Sequence, residues 1–136
     1  MTATITIPGI PIAKKRPRFF RRGSFVGTYN AQETEESRAM LIISQSAKML
    51  TVPIPKGTPV SLSALFVFPY PASMSAKKKA AMPAHVKKPD VDNLLKFIKD
   101  CANGILWHDD SQVNYLTARK EYGENPRTVL TVEWGE

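Results

Sequence analysis

The stretch "PVSLSALFVFP", residues 59–69, limits the possible folds most. It begins as an alternation of apolar and small polar residues and ends apolar on both sides. A helix has no use for that pattern. A strand running into the middle of a covered sheet does. The flanking segments agree. "TATITIP" near the N-terminus alternates and is β-branched, as a strand with one buried face should be. "QVNYLTARKEY" and "RTVLTVEW" read as two strands joined by "GENP". A helix is expected over residues 31–49. Asn30 stands as its cap, Glu33 completes a capping box, and Met40, Leu41, Ile43, Ala47 and Leu50 are its apolar residues. A second is expected over residues 91–103, with Val91, Leu94, Leu95, Ile98 and Ala102 as its stripe and Asn103–Gly104 as its stop. The order β, α, β, α, β, β predicts an α+β domain: one mixed sheet of four to five strands with two main helices mainly on one face. A chain of 136 residues with 43% hydrophobic content makes one such domain.

Two segments lie outside this frame. "AKKRPRFFRRGSF", residues 13–25, carries six basic residues and no acid, and reads as a loop or arm with a ribbon-like end. "YPASMSAKKKAAMPAHVKKP", residues 70–89, has five lysines, three prolines and no regular period. It reads as a mobile basic loop with a short helical turn over residues 75–81. The net charge is +7, a balance that suits a polyanionic partner, nucleic acid being the commonest. No run is apolar enough to span a bilayer, and the N-terminus lacks the pattern of a secretory leader, so a cytoplasmic location is expected. The single cysteine, Cys101, falls on an apolar helix face and reads as a buried thiol. His85 and His108 have no partners at zinc spacing. No serine has a triad context, and there is no glycine-rich phosphate loop.

The acids are the unusual part. In "KPDVDN", Asp90 and Asp92 stand two apart at the head of the second helix, and "WHDDS" places Asp109 and Asp110 in the turn after it. The plain explanation is a cap at Asp90, a first-turn acid at Asp92 paired with Lys96, and a solvated turn at Asp109–Asp110. The alternative is a divalent cation, because close carboxylates repel unless something positive lies between them, and magnesium prefers such hard oxygen ligands. Asp92, Lys96, Lys99 and Asn103 also share one helical stripe. A helix of twelve residues is about 18 Å long. The two acidic pairs can therefore meet only if the following strand returns alongside it, which the spacing leaves open.

"PDVDNLLK", the helix with "KDCANG", and "WHDDSQV" together resemble the RusA family of Holliday junction resolvases of bacteria, phages and prophages. "IPGIPIAKKRPRF" and "KEYG" look like the phage-type members. The resemblance implies a magnesium-dependent endodeoxyribonuclease, with Mn2+ able to substitute, that acts as a homodimer on four-way DNA junctions in recombination and repair. It implies Asp90, Asp92 and Asp110 as metal ligands, Lys96 as the functional lysine and Asp109 as an assisting acid. By charge, DNA contacts are expected from Lys14, Lys15, Arg16, Arg18, Arg21 and Arg22, from Lys77, Lys78 and Lys79, and from Lys87, Lys88 and Lys99. Phe19 and Phe20 are read either as a wedge at an opened crossover or as core packing beside the first strand. Met40, Ile42 and Met49, or a sheet edge near Trp134, are candidates for the dimer contact. Two other readings stay open: a non-catalytic branched-DNA-binding module, and a nuclease of the same fold that acts on forks or flaps.

Overall fold

The computed structural model describes residues 1–15, 18–29, 31–48 and 53–135. Four strands form one sheet in the order β1-β6-β4-β5. They are β1 (Thr2–Pro8), β4 (Val60–Pro69), β5 (Val113–Gly123) and β6 (Arg127–Trp134). β6 is antiparallel to both β1 and β4, and β5 runs parallel to β4. The helices are α1 (Glu33–Ala47), the one-turn α2 (Ala76–Ala80) and α3 (Val91–Ala102). The parallel pair requires a crossover, and residues 70–112, with α3 at their centre, make it.

The core lies on one face of the sheet. Ile5 of β1, Leu62 and Phe66 of β4, and Leu130 and Val132 of β6 meet Ala39 and Ile43 of α1 and Leu94, Ile98 and Cys101 of α3. Burial pushes the Cys101 thiol up to about 11, so it stays protonated and packs as an apolar group. The opposite face is different from the covered sheet that "LFVFP" predicts. Val67 is buried there, but Ser63 is exposed and Leu65 only half-buried. β4 is central, yet helices cover one face only. Trp134 is likewise no edge residue: it lies in β6, between two strands, and is buried. The exposed edge is β5, where Tyr115 and Leu116 are 62% and 41% exposed.

The basic segment near the N-terminus forms a hairpin of its own, β2 (Arg18–Arg22) paired with β3 (Phe25–Tyr29), as a separate two-stranded sheet. Phe19, Phe25 and Val26 are exposed, so the core-packing reading of Phe19 fails. Phe20 is at the border of exposure; its ring lies 6.0 Å from that of Phe25 and covers Gly27, where a Cβ would meet it at 2.6 Å. Such a ribbon has no core beneath it and owes its position to its base. There the chain is tied down. The buried Gln32 side chain accepts from Lys15 N at 2.9 Å and donates to Ala13 O at 2.7 Å. Lys14 N donates to Asn93 O at 2.9 Å. Gln32 also stands at the start of α1, without a side-chain cap; Asn30, the expected cap, lies outside the described residues, as do Met49 and Leu50.

Gln32→Leu is expected to lower stability by about 1–3 kcal/mol, because it removes a buried side chain's bonds to two backbone groups, Lys15 N and Ala13 O. A fall in the urea midpoint checks this, and an unchanged midpoint would show that the ribbon's base is held by other contacts.

Candidate metal centre and nucleic-acid surface

α3 starts where it does because Pro89 ends the preceding segment and Asp90 takes the cap position with extended backbone. The Asp90 side chain makes no capping hydrogen bond. Asp92 accepts from Asn93 N at 3.0 Å. It forms no ion pair with Lys96; among the described residues the salt bridges involve Lys14, Arg119 and their partners. The cap position and the first-turn acid of the plain explanation are both present, but the capping side-chain bond and the Asp92–Lys96 ion pair are not, among the described residues. Two exposed carboxylates stand at the head of α3, engaged neither as a side-chain cap nor as an ion pair.

One contact positions this turn, and sequence reasoning missed it. Lys120 Nζ donates to Lys87 O at 2.7 Å and to Pro89 O at 2.9 Å. Its side chain points to the core side of β5, in register with Phe66. The alternation held the signal: Leu116, Ala118, Lys120 and Tyr122 share a strand face, and the lysine interrupts an otherwise apolar set.

"WHDD" divides its two acids between different tasks. Asp109 caps the short 3-10 turn Asp110–Gln112, accepting from Ser111 N at 2.9 Å, and this bond holds its carboxyl below the usual value. The buried Gln112 accepts from His108 N and Asp109 N and donates to Pro55 O and Thr58 O, which clamps the turn to the 53–58 segment. Asp110 accepts from the indole Nε1 of Trp107 at 2.8 Å, and Trp107 is fully buried. The Asp110 carboxylate thus has a rigid support at one oxygen, which suits a ligand. Asp109 is the structural member of the pair.

The return path is now explicit. Residues 87–90 lie beside Lys120, near the end of β5, and Asp110 lies just before its start. β5 runs back along α3 from the far end. Asp90 and Asp92 are therefore separated from Asp110 by the length of the helix, about 18 Å. Among the described residues, no three acids, histidines or cysteines group closely enough to hold a metal. The donor chemistry suits magnesium, but one chain presents it in two halves.

The basic residues also divide. Lys14 is engaged in ion pairs: its Nζ lies 3.2 Å from Glu36 and 3.2 Å from Asp100, joining α1 to α3. Burial lowers the affinity of that ammonium for its proton, but the bonds to Glu36 and Asp100 outweigh it and leave the pKa raised. Lys15, Arg21 and Arg22 are exposed, as are Lys77, Lys78, Lys87, Lys88 and Lys96, while Lys99 is half-buried. Arg16 and the Arg18 side chain lie outside the described residues. Lys79 lies over the Tyr70 ring, 5.1 Å from its centroid. His85, within the 70–89 loop, is buried, stacked on Phe68 at 4.4 Å and tilted against Tyr122 at 4.8 Å. His108 is exposed in its turn.

With this geometry in place, the chain matches the model of the family described as "Endodeoxyribonuclease RusA" over residues 8–133. It belongs to the RusA endodeoxyribonuclease family, whose activity is the endonucleolytic resolution of Holliday junctions. It is similar to "Uncharacterized protein YqaN" of Bacillus subtilis (strain 168), 32% identical over 135 residues, covering 93% of this chain and 92% of that protein. No helix among the described residues is long and apolar enough to cross a membrane.

Two measurements follow. Lys14→Ala is expected to lower stability and leave the salt dependence of DNA binding intact. Arg21→Ala with Arg22→Ala is expected to reduce the slope of log K against log salt by about 2; equal slopes in the two variants would contradict the division. The second measurement concerns His85. Burial, and then Lys120 and Lys87, hold its pKa below the ordinary value. Below about pH 6.5 the unfolded chain takes up a proton that the folded form does not. The stability from this group is complete above that pH and is lost as pH falls towards the folded pKa. His85→Phe should flatten the acid-side decline of the urea midpoint, and an unchanged decline would assign it to other groups.

Proposed function

We propose that this protein is a magnesium-dependent endodeoxyribonuclease that resolves four-way DNA junctions as a homodimer by paired, symmetric hydrolysis. The observation that supports this best is the division of the ligand set. Asp90 and Asp92 lie exposed and uncapped at one end of β5, and Asp110 lies braced by Trp107 at the other. A two-fold dimer brings opposite ends together. If two copies associate antiparallel along their β5 edges, the Asp110 end of one comes to the Asp90 and Asp92 end of the other, and two complete sites result. β5 suits such a contact. It is eleven residues long, exposes Tyr115 and Leu116, and has no loop hydrogen-bonded to its free edge among the described residues.

Each site would then consist of Asp90 and Asp92 of one protomer and Asp110 of the second. Magnesium bound there would supply charge neutralisation and a nucleophilic water at the scissile phosphate. The chain's own groups do the rest. Lys96, exposed one turn after Asp92, faces the charge that builds on the phosphate oxygens. Lys87 and Lys88 offset the repulsion between the acids and DNA, and Lys120 holds their segment in place. Arg21 and Arg22 on the ribbon and Lys77 and Lys78 on the loop hold the junction arms. Phe19, 76% exposed, is available as a wedge.

A labelled four-way junction should be cut with magnesium and remain intact with EDTA, and forks and plain duplex should be cut less. Asp90→Asn, Asp92→Asn and Asp110→Asn should each abolish cutting and retain junction binding. Light scattering should give about twice the 15.1 kDa chain mass. Mixing two dead chains tests the shared site directly. A dimer of Asp92→Asn with Asp110→Asn carries both lesions in one site and none in the other, so it should nick one strand. If each site came from a single chain, the mixture would stay inactive.

A further inference from the structure

The loop at residues 70–89 encloses a feature that the proposed chemistry leaves unused. Two clefts, of about 260 and 250 Å³, open on either side of a rib made by Pro83 and Ala84. They share one wall, the ring of Tyr122. The first is lined by Met74, Val86, Lys78 and Lys87, the second by Tyr70, Met82 and Lys120 with Arg119 and Glu121 at the strand edge. The rings are continuous through this wall: Phe68 on His85, His85 against Tyr122, and Tyr122 parallel to Tyr70 at 5.8 Å. Tyr122 is therefore held between His85 and Tyr70.

The loop does not fold inward to fill these clefts. Val86 and Met82 are each 84% exposed at their rims. Met82 has a φ of 52°, a left-handed backbone that a side-chain-bearing residue adopts at a cost. Lys78 and Lys87 have no ion pair among the described residues. An apolar slot with unpaired ammonium groups at its mouth and a more polar slot beside it, both against one aromatic residue, match one chemistry well. Unpaired bases enter the slots and their phosphates stay on the lysines. Each slot is near the lower limit for a small organic ligand, roughly 300 Å³, which favours single bases over a larger group. In the second slot Arg119 is paired with Glu121 at 2.9 Å and Lys120 is engaged by Lys87 O and Pro89 O, so neither cation is left for a phosphate and the base remains as its occupant.

We infer that the two clefts flanking Tyr122 take two successive unpaired nucleotides of a DNA strand, one base in each, with their phosphates on Lys78 and Lys87. Placing those bases beside the scissile phosphate rests on the proposed nuclease site: Lys87 lies three residues before Asp90, and Lys120 holds the Lys87 and Pro89 carbonyls between them. Strand occupancy itself does not depend on it. Unstacking at the crossover would then be captured by the same loop that leads into the ligands. A continuous duplex would have to break its own stacking to fill the slots, so they would favour a branched substrate.

The test uses the full chain and a short single strand carrying 5-iodouracil, irradiated without magnesium, followed by mapping of the crosslinked peptide. Crosslinks are expected at Tyr122 or Tyr70. Crosslinks confined to the Phe19–Phe25 ribbon, or none, would overturn the inference. Tyr70→Leu should weaken binding of the same strand about 5- to 150-fold, the loss carried by one base–aromatic stack. Tyr70→Phe should restore it. Wild-type affinity in Tyr70→Leu would also overturn the inference. Because the strand is bound without cutting, this result and the junction assay fail separately. Junction cutting with no Tyr crosslink removes the clefts and keeps the nuclease. A Tyr crosslink without junction cutting does the reverse.

Discussion

β4 and β5 run parallel, in register from Ser61 beside Tyr115 to Pro69 beside Gly123. No tight turn can join parallel strands, so the chain must travel the length of the sheet before β5 begins. α3 is that return path, and its two ends take on opposite characters. Its head receives Asp90 and Asp92, and its tail leads to Trp107 and Asp110. The separation of the acids thus follows from strand direction, and so does the need for a second chain to reunite them in the proposed site. α1, packed beside α3 on the same face, holds the base of the ribbon through Gln32 and Lys14.

The charge balance works on two levels. The surface charge is positive, which draws a polyanion from a distance. The carboxylates proposed to hold the metal are kept out of local pairing: Asp90 makes no side-chain cap and Asp92 does not pair with Lys96. An acid already neutralised by a nearby lysine would bind a cation less well. The lysine that organises this turn, Lys120, directs its charge at two backbone carbonyls instead. Lys14 shows the contrary case. It belongs to the same basic run as the ribbon arginines, but two carboxylates from different helices engage it.

Much of the architecture could be read from the chain because local patterns carried it. The alternation in "TATITIP", the apolar stripe of α3 and the "GENP" turn each state a local preference that the packed molecule keeps. The RusA motif was equally legible, since it is a contiguous block of residues. What the sequence could not supply were the partners of single residues. Lys14 belongs to a basic run, and its ammonium joins carboxylates of two helices. His85 belongs to the basic loop, and its ring lies between two others. Phe19 offered core packing and stands in solvent. In each case the neighbour that decides the role is distant in sequence.

The sequence by itself determined the order of the main elements, the mixed sheet they form and the positive charge, because these depend on periodicity, composition and short motifs; the β2–β3 hairpin and its separate sheet it left as a basic arm with a ribbon-like end. Only the tertiary structure decided which acids stand together. Spacing along the chain could not show whether β5 returns beside α3 from its near end or its far end; parallel pairing with β4 settles that. It also decided that Asp109 is a cap while Asp110 rests on Trp107, and that Tyr122 divides two open clefts. Those are relations between residues brought together by packing, and no local preference encodes them.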